Sequence, residues 1–149
     1  DIDFSNESSN PLYYADNFYF KDGENQYKLL TELNLSETVK EIKDFAFVGY
    51  KALQKISSAG LISIGEDAFN GCSALTTVSL GEGIIKIGEE AFADCSSLVD
   101  IIISDDIQDI AKNAFSMCRI TKVKAPAKVF SYLIKNELKE MYKEILQIE

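Results

Sequence analysis

Cys72, Cys95 and Cys118 are spaced 23 residues apart each time. A fixed period of roughly 20 to 50 residues marks a chain built by stacking copies of one short unit, and it constrains the fold more than any composition can. The apolar residues keep the same period. One copy reads Leu75, Val78, Leu80, Ile84, Ile87, Ala91-Phe92 and Cys95; the next reads Leu98, Ile101, Ile103, Ile107, Ile110, Ala114-Phe115 and Cys118, with every interval equal. The copy before these, Leu53, Ile56, Ser58, Leu61, Ile64, Ala68-Phe69 and Cys72, is one residue short between Ile56 and Leu61 and has Ser58 where an apolar residue is expected. The earliest copy, Leu30, Leu33, Leu35, Val39, Ile42 and Ala46-Phe47, ends in Tyr50 instead of Cys, and a last partial copy, Ile120 and Val123, is again one residue short.

Five short strands follow from the pattern. In Leu75 to Leu80 the alternation around Val78 and Leu80 is that of a half-buried strand, with Thr77 and Ser79 on the other face. The segment Ile87 to Phe92 is too short for an ordinary helix, so it is expected to form a turn or short helical element that drives Phe92 under the sheet. Each copy buries its apolar side chains only when neighbouring copies cover its two open faces, so a single repeat is not expected to fold alone.

Equal positions stack in successive coils, which predicts an interior column of cysteines beside Phe47, Phe69, Phe92 and Phe115, the thiols serving as small apolar fillers. The rival reading, a thiolate nucleophile or metal column, lacks any basic neighbour in register to lower a thiol pKa. An odd number of cysteines with no C-x-x-C spacing also argues against a disulfide framework and a zinc site. The chain contains no His, which removes every mechanism that needs an imidazole.

At 149 residues, 46% hydrophobic and 26% charged, the chain is of single-domain size with enough apolar material for a continuous core. Its net charge of −9 repels phosphate backbones, and the basic residues form no run, so no nucleic-acid partner is expected. Residues 1–41 hold nine acids and three bases, which places the acidity mainly at the N-terminal end, as for a solubilising surface. No stretch approaches the roughly 18 to 20 consecutive apolar residues that span a bilayer, so no membrane insertion is expected. The chain opens at Asp1 with neither Met nor a basic, apolar leader, as expected of a mature or excised segment whose address has been removed.

The flanks divide the chain into residues 1–29, repeats over 30–126, and residues 127–149. Residues 17–20 and 26–30 flank Asp22-Gly23, a turn dipeptide that predicts a β-hairpin leading into the first repeat strand. The aromatic residues Tyr13, Tyr14, Phe18 and Phe20 suit packing on the open end of the array better than a ligand platform. After Ala125-Pro126, the spacing of Phe130, Ile134, Leu138, Met141 and Ile145 predicts an amphipathic helix, with Asn136 as a place where it breaks in two. Mixed Lys and Glu on its polar side favour docking on the open core over lying on a membrane.

The run Ile64-Gly65-Glu66-Asp67-Ala68-Phe69-Asn70-Gly71-Cys72-Ser73-Ala74-Leu75, repeated from Ile87 to Leu98, resembles the BspA-like leucine-rich repeat family. The resemblance extends over about residues 11–149 and departs from the pattern at Tyr50, at Ser58 and at the shortened copy ending at Val123. It implies a right-handed α/β solenoid of leucine-rich repeats with an N-terminal β-hairpin cap and a C-terminal helical cap, on a secreted or cell-surface bacterial protein used for adhesion or other protein contacts. The family motif carries no catalytic residue, and no cofactor, metal or enzyme activity is expected.

The outward positions of the strands, Glu32, Asn34, Lys55, Ser57, Thr77, Ser79, Asp100, Ile102, Lys122 and Lys124, form the candidate binding face for a protein or glycan ligand. The alternative is a structural spacer or self-association segment of a larger surface protein. Asp105-Asp106 with Asp109 is the best carboxylate group for an enzyme, but it falls in an inter-strand turn and lacks calcium-loop spacing. Asn6-Glu7-Ser8 and Asn34-Leu35-Ser36 match the glycosylation sequon weakly.

Overall fold

The structure is a computed structural model that describes residues 18–131 other than 22, 23, 25 and 130. It begins with an antiparallel pair, β1 (Tyr19–Lys21) and β2 (Tyr27–Leu29), in register Tyr19 to Leu29 and Lys21 to Tyr27. The chain then alternates between two parallel sheets. Strands β3 (Glu32–Leu35), β5 (Lys55–Ser58), β7 (Thr77–Leu80), β9 (Asp100–Ile103) and β11 (Lys122–Lys124) make the five-stranded sheet. Between them fall β4 (Glu41–Ile42), β6 (Ser63–Ile64), β8 (Lys86–Ile87) and β10 (Asp109–Ile110), a second sheet of four short strands.

The five strands lie where the periodicity puts them, with equivalent residues paired: Leu33 with Ile56, Ile56 with Val78, Val78 with Ile101, and Ile101 with Val123. The second sheet is an addition to the sequence reading. Each of its strands pairs one outward polar residue with one inward Ile, too short a run for alternation to register.

The segment around each Ala-Phe pair is a succession of turns and not a helix. Amides of alternate residues bond backwards within the turn, as Ala46 N to Lys43 O (3.3 Å) and Tyr50 N to Phe47 O (3.1 Å). The residues between them donate to the next coil instead, as Phe47 N to Ala68 O (2.7 Å), Phe69 N to Ala91 O (2.8 Å) and Phe92 N to Ala114 O (2.8 Å). Flipping alternate amides in this way needs left-handed backbone at two places per coil. These are Phe45, Asp67, Glu90 and Asn113 (φ 52–61°), and Gly49, Gly71, Asp94 and Met117 (φ 55–73°).

The core is a set of ladders. The rings of Phe47, Phe69, Phe92 and Phe115 stack with centroids 5.2–5.3 Å apart and planes within 6°. Beside them each thiol reaches back one coil: Cys72 Sγ donates to Phe47 O, Cys95 Sγ to Phe69 O and Cys118 Sγ to Phe92 O, at 3.1–3.2 Å. The cysteines are therefore more than fillers, since each also satisfies a carbonyl inside the stack. The two irregular positions have local reasons. Ser58 is buried, and its Oγ accepts the Leu61 amide at 3.0 Å, which the shortened turn brings under the sheet. Tyr50 has a different neighbour: its ring meets that of Phe18 edge-on at 4.4 Å, and its hydroxyl donates to Leu30 O (2.5 Å) and accepts from Phe18 N (3.3 Å).

At the far end the backbone of residues 127–129 and 131 is helical, and Val129 is buried against the core. Tyr13, Tyr14, the Asp22-Gly23 turn, the Asn6 sequon, Asn136 and the helix expected from Phe130 to Ile145 lie outside the described residues.

Candidate functional site

All ten outward residues named from the sequence stand on one side of the five-stranded sheet, in two rows across it. Pairing in register sets Glu32, Lys55, Thr77, Asp100 and Lys122 side by side, and likewise Asn34, Ser57, Ser79, Ile102 and Lys124. Their inward neighbours Ile56, Val78, Ile101 and Ile103 are buried, so the strand period alone separates a core side from a solvent side. The N-terminal half of the face is satisfied within itself. Lys55 Nζ lies 3.4 Å from Glu32 Oε1, and Ser57 Oγ donates to Asn34 Oδ1 at 2.6 Å. Towards β11, Lys122 and Lys124 are exposed and enter no ion pair among the described residues.

A second surface, absent from the sequence reading, follows the four-stranded sheet. It is an open groove of about 430 Å³ lined by Glu41, Asp44, Ser63, Glu66, Lys86 and Asp109, with Gly65 and Gly88 on its floor. A Cβ on Gly88 would fall 2.6 Å from the Gly65 carbonyl carbon, so these coils approach too closely for a side chain. Burial raises the Glu66 carboxyl above its usual range, and the charges of Asp67, Asp44, Glu89 and Glu90 add to the rise.

The carboxylates considered for chemistry are dispersed. Asp106 Oδ2 accepts the Gly83 amide at 2.8 Å, the carbonyl of Asp105 accepts Lys128 Nζ at 2.7 Å, and Asp109 belongs to β10 on the other sheet. The thiols of Cys72 and Cys95 are buried in the stack, and Cys118 is half-buried. Burial pushes the Cys72 thiol up to about 12, and its contact with the Cys118 thiol together with burial holds Cys95 protonated further still. Among the described residues no group of three or more His, Cys, Asp or Glu is placed to hold a metal ion, and no helix is long and apolar enough to cross a membrane.

These features define a class: a parallel β-solenoid of repeats whose conserved geometry lies in its core ladders and whose variable residues lie on a sheet face. The BspA-type leucine-rich repeat region matches residues 20–137 in six copies, and the chain belongs to that family. No curated protein matches it. Among solved structures it is similar to a leucine-rich repeat protein from Bacteroides capillosus ATCC 29799, at 27% identity and a TM-score of 0.53, covering 73% of this chain and 72% of that one. It is also similar to a leucine-rich cell surface protein from Faecalibacterium prausnitzii A2-165, at 20% identity and a TM-score of 0.45, covering 75% of this chain and 41% of that one. A leucine-rich repeat protein from T. pallidum matches at 19% identity and a TM-score of 0.42, over 72% of this chain and 68% of that one.

Proposed function

We propose that the chain is a non-catalytic repeat module of a secreted or cell-surface bacterial protein, and that it contacts a protein or glycan partner through the exposed face of the five-stranded sheet. The observation that supports this reading is the separation of duties along each strand. The inward row from Leu33 to Val123 is apolar at every rung and buried at the three middle ones, while the outward row changes chemistry from Glu32 to Lys55, Thr77, Asp100 and Lys122. A rigid, extended surface of this kind loses little conformational entropy when a partner binds.

The test is a glycan-array and pull-down comparison of the chain with a variant carrying Glu32→Lys, Asp100→Arg and Lys122→Glu. A ligand held by the parent and lost by the variant supports the reading; a ligand held equally by both overturns it. The internal pairs Lys55–Glu32 and Ser57–Asn34 favour a second reading for the N-terminal half, a spacer whose face only satisfies itself. Failure of both proteins to bind anything in either screen supports the spacer.

A further inference from the structure

We infer that the edge of the sheet at β11, which carries no further strand among the described residues, takes one more strand, an extended acidic segment of a partner protein. The inference rests on reading the sheet face as a contact surface and adds where the partner enters and what chemistry it carries.

The first argument is the edge itself. β11 is last in the order β11-β9-β7-β5-β3 and pairs, among the described strands, only with β9. The amide of Lys122 bonds to Val99 O at 2.9 Å, so Lys122 and Lys124 turn their backbone groups towards β9. By the alternation along a strand, Val123 turns its N–H and C=O the other way, as a donor and acceptor pair for an added chain.

The second argument is charge. Residues 119–128 hold Arg119, Lys122, Lys124 and Lys128 and no acid, on a chain of net charge −9. Of these, Lys128 is engaged with a backbone carbonyl, while Lys122 and Lys124 stand exposed with no ion pair among the described residues. On the β9 side Lys122 stands in register with Asp100 without forming an ion pair among the described residues, and Lys124 stands beside the apolar Ile102; on the outer side of β11 no described residue faces either lysine. On the same row, two strands of the sheet set Glu32 opposite Lys55 and form an ion pair at 3.4 Å. An added strand with acidic residues at alternate positions would stand to Lys122 as Glu32 stands to Lys55, and a second acid two residues on would meet Lys124. Edge lysines also discourage pairing with copies that present the same charge, and so select for an acidic partner.

The experiment uses the whole chain and short synthetic peptides alternating Glu with Thr, Lys with Thr, or Gln with Thr. Binding is followed by fluorescence anisotropy, and the occupied edge by hydrogen exchange of the Val123 amide. The expected result is saturable binding of the Glu-Thr peptide alone, slowed exchange at Val123, and affinity about tenfold or more weaker in Lys122→Glu/Lys124→Glu. Lys51→Glu with Lys112→Glu, exposed and outside both the face and the groove, is expected to leave that binding unchanged. No binding, equal binding of the Lys-Thr peptide, or unchanged exchange at Val123 overturns the inference. If Glu32→Lys with Thr77→Arg, on the interior of the face, loses the peptide and the edge variant keeps it, the edge is refuted while the face reading stands. Heparin binding without protection of Val123 assigns the lysines to a polyanionic glycan instead. Self-association without peptide, lost in the same edge variant, assigns the edge to a second copy.

Discussion

Replacing Phe92 by Ala tests the core ladders at their middle. Phe92 is fully buried, and its ring stacks on Phe69 at 5.2 Å and on Phe115 at 5.3 Å with planes 6° and 3° apart. Removing a buried Phe costs about 3–5 kcal/mol through lost transfer energy and the cavity left behind. Collapse would relieve that cost, but the neighbouring coils are held by Phe69 N to Ala91 O and Phe92 N to Ala114 O, both 2.8 Å, so the rings above and below cannot close the gap. Two aromatic contacts, each worth about 0.5–1.5 kcal/mol beyond area, are lost as well, which places the expected cost at the upper end, about 5 kcal/mol. That is comparable to the whole stability of a small domain, about 5–15 kcal/mol. Urea unfolding followed by circular dichroism measures it, with Phe92→Leu as a control that keeps most of the apolar volume and loses only the stacking. An interior coil that melts first should also lower the denaturant slope, because coils in a solenoid couple only to their neighbours. A loss below about 0.5 kcal/mol, the level of an exposed site, would refute the inward register of the column.

Other positions give smaller, signed effects. Ser58→Val restores the apolar pattern yet should destabilise by about 1–2 kcal/mol in urea unfolding, because it strands the Leu61 amide bonded to Ser58 Oγ at 3.0 Å; a gain in stability would refute that role. Met117 has φ 61° and a side chain in solvent, so Met117→Gly should stabilise by about 0.5–1 kcal/mol, while Gly71→Ala, at φ 73°, should lose a similar amount. The Cys72 thiol titrates at about 12 in the fold against 9.0 in the unfolded chain, so the unfolded state releases its proton first. The Cys72 contribution to stability is therefore full below pH 9.0 and falls by roughly 1.4 kcal/mol per unit as pH rises towards 12; Cys95, raised further, adds a slope of the same sign, so Cys72→Ala should lessen the fall without abolishing it.

The parts of the fold legible in the sequence are those that repeat. Strand positions, the inward register and the Phe and Cys columns follow from one period, because a stack superposes equal positions and each must solve the same packing problem. The second sheet was hidden because Glu41-Ile42, Ser63-Ile64, Lys86-Ile87 and Asp109-Ile110 are pairs, and two residues cannot display a period. The turns were hidden for a different reason. Left-handed backbone usually announces itself as Gly, but here Phe45, Asp67, Glu90, Asp94 and Met117 adopt it, and the amides of Phe45, Asp67 and Asp94 bond to the next coil. Tyr50 and Ser58, which look like lapses in the repeat, are where the structure departs from the average coil and compensates locally.

The candidate face was legible as a place and not as a specificity, and the reason is physical. A solvated sheet requires only that its outward residues be polar, so it puts no constraint on which polar residue stands at which rung. The inward positions carry no such freedom: the row from Leu33 to Val123 is aliphatic throughout, and the row beside it departs only at Ser58. Information about a partner can therefore sit only where the core leaves the choice open, in the two outward rows and the groove of the second sheet. Within the rows the freedom is used unevenly: Glu32 with Lys55 and Asn34 with Ser57 are satisfied by each other, whereas Ile102, Lys122 and Lys124 gather at one end an apolar side chain and two cations with no ion pair among the described residues. An unpaired charge on an exposed strand costs little in the free protein and gains most when a partner of opposite sign arrives. On the proposed reading, the last two coils are thus the part of the surface where a change of sequence alters binding without altering the fold.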